Sequence, residues 1–219
     1  MFVTFEGLEG SGKSTQARLL ADYVRAQWGE ERVVLTREPG GTEIGEQIRQ
    51  VIHSLRNHDM APTTEFLLYN AARAQIVAQV IRPALAQGKI VLCDRYADST
   101  LAYQGYGRQL DMEMVRDVIR YATGGLVPDL TFYLDIPIEE GLARRNHGHT
   151  RGEELNRMDV QTRDFYERVR VGYETLGREN AGRWVVIDGA RSIDQVQADL
   201  RKALAARLVV QAHRMEFDV

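Results

Sequence analysis

Cysteine occurs once in the 219 residues, as Cys93, so no disulfide can close within the chain, and a reducing, cytoplasmic setting is expected. A surplus of either charge is also missing, with 28 Lys and Arg against 31 Asp and Glu. The formal net charge is −3, without the basic surplus that grips a nucleic-acid backbone, so no nucleic-acid partner is expected. No apolar run approaches the roughly 20 residues that cross a bilayer, and the N-terminus lacks a basic, apolar, small-residue leader pattern. Proline is scarce at five residues and no stretch is of low complexity, which excludes long extended linkers. What remains is an ordinary balance, 44% hydrophobic and 27% charged, at a length that suits one domain over 1–219.

Short apolar runs alternate with longer segments of helical period. Phe2–Glu6, Arg32–Thr36, Ile90–Cys93, Leu130–Asp135 and Trp184–Asp188 read as buried strands. Helices are expected from Lys13 to Trp28, Thr42 to Leu55, Thr64 to Ala86, Asp111 to Tyr121, Ile138 to Arg145, Asp159 to Arg178 and Ser192 to His213. Pro83 should kink the third of these or end it early. This alternation predicts an α/β fold, a five-stranded parallel sheet with helices on both faces.

The strongest local signal is Gly7-Leu8-Glu9-Gly10-Ser11-Gly12-Lys13-Ser14, a G-x-x-x-x-G-K-S pattern between a strand and a helix. It arises by chance in roughly 1% of chains this long, and here its context is also right. Glycines let backbone N–H groups approach phosphate oxygens, and the helix adds its positive end. Lys13 reaches the β/γ-phosphates and Ser14 offers a hydroxyl to Mg²⁺. Gly7, Gly10, Ser11, Gly12, Lys13, Ser14 and Thr15 are therefore expected to hold a donor nucleotide. The strand Ile90–Cys93 leads into Asp94, which reads either as the second metal-side group or as a simple helix cap.

Arg95 follows Asp94, and Arg37 follows the second strand. Both strands are expected to flank the first. Guanidiniums at the carboxyl ends of sheet strands face the crevice where ligands of such folds bind. Two of them beside a phosphate site suggest an acceptor that is itself anionic. A phosphate monoester loses its second proton near pH 6, so it needs no general base. An arginine-rich acceptor site therefore favours a nucleoside-monophosphate acceptor over an alcohol. Arg144 to Asp159, polar with Gly148 and Gly152, carries Arg144, Arg145, Arg151 and Arg157. A solvated loop is the plainer reading of such a stretch. Beside a phosphate-binding loop, a lid delivering arginine on closure is favoured. His147 and His149 lack a third ligand nearby, so a metal site there is not expected.

Over nearly its whole length the sequence resembles the thymidylate kinase family. Phe5 to Gly10 runs into the phosphate loop, followed by Thr36-Arg37-Glu38-Pro39-Gly40-Gly41-Thr42 and Tyr69 with Ala71-Ala72-Arg73. Asp94-Arg95-Tyr96 with Ser99, Ala102-Tyr103-Gln104 and Pro128-Asp129-Leu130-Thr131 complete the match. The resemblance implies a P-loop kinase fold with a lid insertion at about 144–159. It also implies γ-phosphoryl transfer from ATP to dTMP with Mg²⁺ on Ser14 and Asp94, feeding dTTP synthesis, in a homodimer. Arg95, Arg49 and Arg37 would bind the acceptor phosphate, beside Glu38 and Pro39, and Glu9 would meet the sugar 3′-hydroxyl. Arg73 would read the base, with Ser99 and Gln104 near it. Tyr103 would crowd the 2′ position, and Tyr69 stands where the family usually stacks Phe. Arg191, in Asp188-Gly189-Ala190-Arg191, would lie near adenine. No arginine occupies positions 8–11, so Arg151 or Arg157 of the lid would supply the catalytic charge, with Lys13, Asp94 and Arg95.

Two other readings stay open on sequence grounds. One is a kinase for another small acceptor such as a deoxynucleoside. The other is a nucleotide-dependent switch, disfavoured because no Asn-Lys pair of the guanine-reading kind occurs.

Overall fold

A computed structural model describes residues 1–150 and 156–217, with side chains except those of residue 149 and residues 211–217. Five strands form one parallel sheet: β1 (Phe2–Glu6), β2 (Val33–Arg37), β3 (Ile90–Asp94), β4 (Leu130–Asp135) and β5 (Trp184–Asp188). Their order is β2-β3-β1-β4-β5, with Thr4 opposite both Cys93 and Thr131. The expectation for Arg37 is corrected here, because β3 and β4 flank β1 while β2 forms the edge beyond β3. Arg37 still reaches the crevice, since its register partner is Asp94.

Alternate strand residues point to opposite faces. Val3, Phe5, Leu92 and Phe132 pack against Leu20, Val24, Leu200 and Leu204 of α1 (Lys13–Trp28) and α9 (Ile193–Phe217). On the other face, Tyr133 meets Tyr173 and Leu176 of α8 (Arg163–Glu179), while Phe2, Val91 and Cys93 meet Ile76 and Ile81. Each buried aromatic or aliphatic side chain contributes about 1.5–3 kcal/mol.

The second helix, α2 (Glu43–His53), is capped by Thr42, whose hydroxyl accepts from the Gly45 N–H. The third expected helix is one continuous rod with a widened middle: α3 (Pro62–Ile76), a π turn (Val77–Ile81) and α4 (Arg82–Ala86). Pro83 is not a break. It sits in the first turn of α4, just after the wide turn, where a missing N–H is tolerated.

A helix that the periodicity did not reveal follows β3: α5 (Ala97–Thr100) continues as a π segment (Leu101–Gly107). Then come α6 (Met112–Thr123) and α7 (Ile138–Thr150). Residues 144–150, expected to begin a polar lid loop, instead continue α7. No described helix is long and apolar enough to cross a membrane.

Candidate active site

The first strand ends in Glu6, and the turn after it must reverse sharply to start α1. Gly10 (φ 73°) and Gly12 (φ 88°) supply the left-handed conformations this needs. Gly12 caps α1, so Lys13 and Ser14 open the helix. Lys13 Nζ donates to Leu8 O (2.7 Å) and Ser11 Oγ (3.1 Å). Burial first, then the Arg95 charge, lowers its ammonium to about 8, against the pull of Asp94, Glu9 and Glu6.

Ser14 Oγ donates to Asp94 Oδ2 at 2.5 Å, while the buried Asp94 Oδ1 has no partner among the described residues. A hydroxyl beside a carboxylate with an unsatisfied oxygen is an all-oxygen donor set suited to Mg²⁺, which completes its shell with water and phosphate. Among the described residues no cluster of three or more His, Cys, Asp or Glu could hold a metal ion.

Arg95 is the centre of a second polar cluster. Its backbone takes φ 68°, uncommon for a residue with a side chain, and its N–H donates to Phe5 O. That conformation aims the guanidinium inward. It donates to Ser99 Oγ (3.1 Å), Tyr173 Oη (3.2 Å), Glu9 Oε1 (3.0 Å) and Tyr103 Oη (3.2 Å). Tyr103 Oη in turn donates to Glu9 Oε2 at 2.6 Å.

Behind this cluster lies Glu6, which accepts from the Tyr96 N–H (2.9 Å), Ser99 Oγ (2.5 Å) and Tyr173 Oη (3.0 Å). Burial, then the Asp98 charge, raises its carboxyl to about 7, opposed by the Ser99 hydroxyl, the Arg95 charge and the Tyr96 N–H. Sequence reading missed Glu6 and Tyr173. An acid in an otherwise apolar strand was the available signal for Glu6.

A cavity of about 460 Å³ runs from Lys13, Ser14 and Asp94 past Arg95, Arg37 and Arg49 to Arg73, Tyr69 and Gln104. That volume lies in the range of small-ligand sites. Arg49 Nη1 donates to Pro39 O (3.1 Å), and exposed Arg37 pairs with Glu46 (2.8 Å). His53 lies on the same wall. Burial, then Arg49 and Arg95, lowers its imidazole to about 3, so it stays neutral.

At the far end Arg73 is 1% exposed. Its Nε donates to Glu38 Oε2 (2.8 Å), Nη1 to Asn70 Oδ1 (3.2 Å), and Nη2 to Tyr96 O (3.1 Å) and Thr100 Oγ1 (2.9 Å). A guanidinium has five N–H groups, so one on Nη1 is left over. Glu38 is raised to about 7 by burial against the Arg73 charge, and its Oε1 is buried without a partner. The cavity therefore has a cationic end beside the phosphate loop and an end with sparse, directed polar groups. An anion carrying a flat ring fits both.

This layout agrees with comparison to known proteins. The model of the thymidylate kinase family matches residues 5–200. The chain belongs to the thymidylate kinase family. The thymidylate kinase of Roseiflexus castenholzii is 53% identical over 203 residues, covering 89% of this chain and 88% of that one. That of Desulfovibrio desulfuricans is 47% identical, covering 95% and 96%. The crystal structure of thymidylate kinase from Ehrlichia chaffeensis superposes with a TM-score of 0.77 at 34% identity, covering 93% of this chain and 98% of that one.

Of the residues expected in a thymidylate kinase site, Glu9, Gly10, Lys13, Ser14, Arg37, Glu38, Pro39, Arg49, Tyr69, Arg73, Asp94, Arg95, Ser99, Tyr103 and Gln104 all line this cavity. Arg191 is apart from it, paired with Asp199 at 2.7 Å. Its loop nevertheless backs the phosphate loop, because a Cβ on Gly189 would lie 3.4 Å from Ser11 O.

The two lid arginines fare differently. Arg151 lies outside the described residues. Arg157, expected as a catalytic arginine, is 4% exposed and turned away from the cavity. It pairs with Glu65 and donates to Ile52 O at 3.1 Å. Its neighbours Asn156, Met158 and Asp159 line the cavity instead, with Arg145 paired to Asp159 at 2.8 Å. The physical reason is Glu65, a fully buried carboxylate that demands a cation.

Proposed function

We propose that this chain transfers the γ-phosphoryl group of ATP to the phosphate of dTMP, giving ADP and dTDP. The observation that carries this reading is the continuous cavity joining the phosphate loop to Arg95, Arg49 and Arg37 and then to Arg73 and Gln104. An oxygen of the dTMP phosphate attacks the γ-phosphorus while the bond to the β–γ bridging oxygen breaks, that oxygen leaving with the electron pair on ADP. At neutral pH the attacking phosphate is already doubly ionised, so no side chain has to take a proton. The work is therefore positioning and charge neutralisation.

Lys13 meets the β/γ-phosphates, and Arg95, Arg49 and Arg37 hold the acceptor phosphate against repulsion from the donor. Glu9 accepts the sugar 3′-hydroxyl, and Tyr69 covers the base. Mg²⁺, held by Ser14 and Asp94 with the phosphates, would supply further neutralisation of the migrating group. A homodimer in the cytoplasm belongs to the same reading. With Arg157 engaged by Glu65, Arg151 is the lid arginine that this reading retains for the migrating charge.

The test is an ADP-release assay with dTMP, UMP, AMP, GMP and thymidine as acceptors. The expected outcome is a kcat/KM for dTMP well above all others. No preference for dTMP would sink the reading, and turnover of thymidine alone would make the acceptor a 5′-hydroxyl.

A further inference from the structure

Glu65 lies on α3 with no exposure at all, yet it faces four donor groups on three residues, Gln104, Arg108 and Arg157. Its Oε1 accepts from Gln104 Nε2 (2.8 Å) and Arg108 Nε (3.2 Å). Its Oε2 accepts from Arg108 Nη2 (3.0 Å) and from Arg157 Nη2. Burial alone would raise this carboxyl. The Arg108 hydrogen bonds and charge, the Gln104 amide and the Arg157 charge outweigh it and hold the group below its usual value. Glu65 is thus an ionised group that can only accept.

That has a consequence for Gln104. The two ends of an amide are told apart by their partners, and only the NH₂ end can face a carboxylate. The reversed rotamer would press two oxygens together. Among the described residues the Gln104 side chain is bonded only through Nε2, which leaves its carbonyl oxygen over, and Gln104 lines the cavity. Beside it Arg73 keeps one unused Nη1 N–H. The Gln104 carbonyl and the Arg73 N–H are therefore an acceptor and a donor of fixed identity at the ring end of the cavity.

We propose that Glu65 sets the base specificity of this site at second hand, by anchoring the Gln104 amide so that its oxygen faces the ring. A fixed acceptor beside a fixed donor matches a pyrimidine edge with a carbonyl next to a ring N–H. It opposes a 4-aminopyrimidine, whose ring nitrogen is itself an acceptor and whose amino group is a donor. Glu65 touches no substrate and is a positioning residue. The inference rests on the dTMP reading above and deepens it.

The experiment compares kcat/KM for dTMP and 5-methyl-dCMP, which share sugar, phosphate and methyl group and differ only at this edge. The wild-type enzyme, Glu65→Gln, Gln104→Leu and the double variant are measured. Leaving a buried polar edge mismatched costs roughly tenfold to hundredfold in selectivity. Each single variant should lower the dTMP preference by about tenfold, the loss falling on KM for dTMP more than on kcat. Because one residue acts through the other, the double variant should match Gln104→Leu. Multiplicative effects in the double variant would overturn the proposal, as would an unchanged preference in either single variant.

Glu65→Gln leaves Arg108 and Arg157 without their carboxylate. If it does not fold, the charge-compensated Glu65→Gln/Arg157→Met protein takes its place. Failure of both to fold would make Glu65 a stability residue and overturn the proposal. Wild-type enzyme inactive on both nucleotides would refute the dTMP reading itself. Wild type active on dTMP but indifferent to these substitutions would overturn only this inference.

Discussion

Arg157→Ala separates two roles that the same residue could play, and the structure sets the size of each effect. Arg157 is 4% exposed, pairs with the fully buried Glu65 and donates to Ile52 O near the end of α2. Removing one member of a buried ion pair costs about 3–5 kcal/mol, most of it from the charge left behind. Glu65 keeps Arg108 and Gln104, so the low end, about 3 kcal/mol, applies. For a domain of this size each kcal/mol moves Tm by about 2–4 °C, giving a fall of roughly 6–12 °C. Thermal unfolding read by circular dichroism gives that number, and single-turnover kinetics at 20 °C gives the chemical step of the protein that remains folded. The expected result is the lowered Tm with a chemical step reduced by less than about tenfold, since the guanidinium does not line the cavity. An unchanged Tm with a chemical step lowered by several orders of magnitude would refute this reasoning and return Arg157 to the migrating phosphoryl group.

The Lys13 ammonium, lowered to about 8 from its ordinary 10.5, gives a pH signature. Below pH 8 both folded and unfolded chains carry the charge and its burial penalty is complete; as pH rises from about 8 to 10.5 the penalty is relieved and this group's contribution to stability increases. Nucleotide affinity runs the other way, weakening by about tenfold per pH unit above 8, because binding takes up the proton. Calorimetric titration with ATP from pH 7 to 9.5 measures this, and a wild-type profile as flat as that of Lys13→Met counts against it. Gly141→Ala places a Cβ 2.6 Å from Glu9 O and 3.1 Å from Ile136 Cδ1, so the phosphate loop and α7 must move apart. At about 1–3 kcal/mol of overpacking, KM for both substrates should rise about tenfold, and unaltered steady-state kinetics would show that the loop yields freely. Tyr103→Ala should narrow the gap in kcat/KM between dTMP and its ribonucleotide; the same gap in variant and parent would remove Tyr103 from sugar selection.

The donor side was legible in the sequence because its geometry is local. Gly12, Lys13 and Ser14 are adjacent in the chain, and the strand before them and helix after them fix where they point. Strand positions were legible for the same reason, but strand order was not. Which strands flank β1 is decided by long crossovers, so β2 fell at the edge although Arg37 still met Asp94 in register. The segment Ala97–Gly107 escaped notice because Gly105 and Gly107 weaken a helical pattern, and its wide turns depart from the 3.6-residue period. Those glycines are explained only by tertiary contact: a Cβ on Gly107 would lie 2.7 Å from Phe165. The place of Arg157 beside Glu65 was not legible for a related reason. Its partner is 92 residues away, and a charge surrounded by polar neighbours looks solvated until that partner is placed.

The same long-range logic links the two substrate sides through Glu9. Its backbone oxygen backs onto Gly141 at the start of α7, where no side chain could fit without displacement. Its carboxylate holds both Arg95 and Tyr103. A displacement of Glu9 would therefore press on either the Arg95 guanidinium or the α7 backbone. Arg95 is held on four sides, two of its partners being hydroxyls that also bond Glu6. Glu9 thus ties the turn before α1 to both Arg95 and α7, so a substitution at any one of the three is felt at the other two.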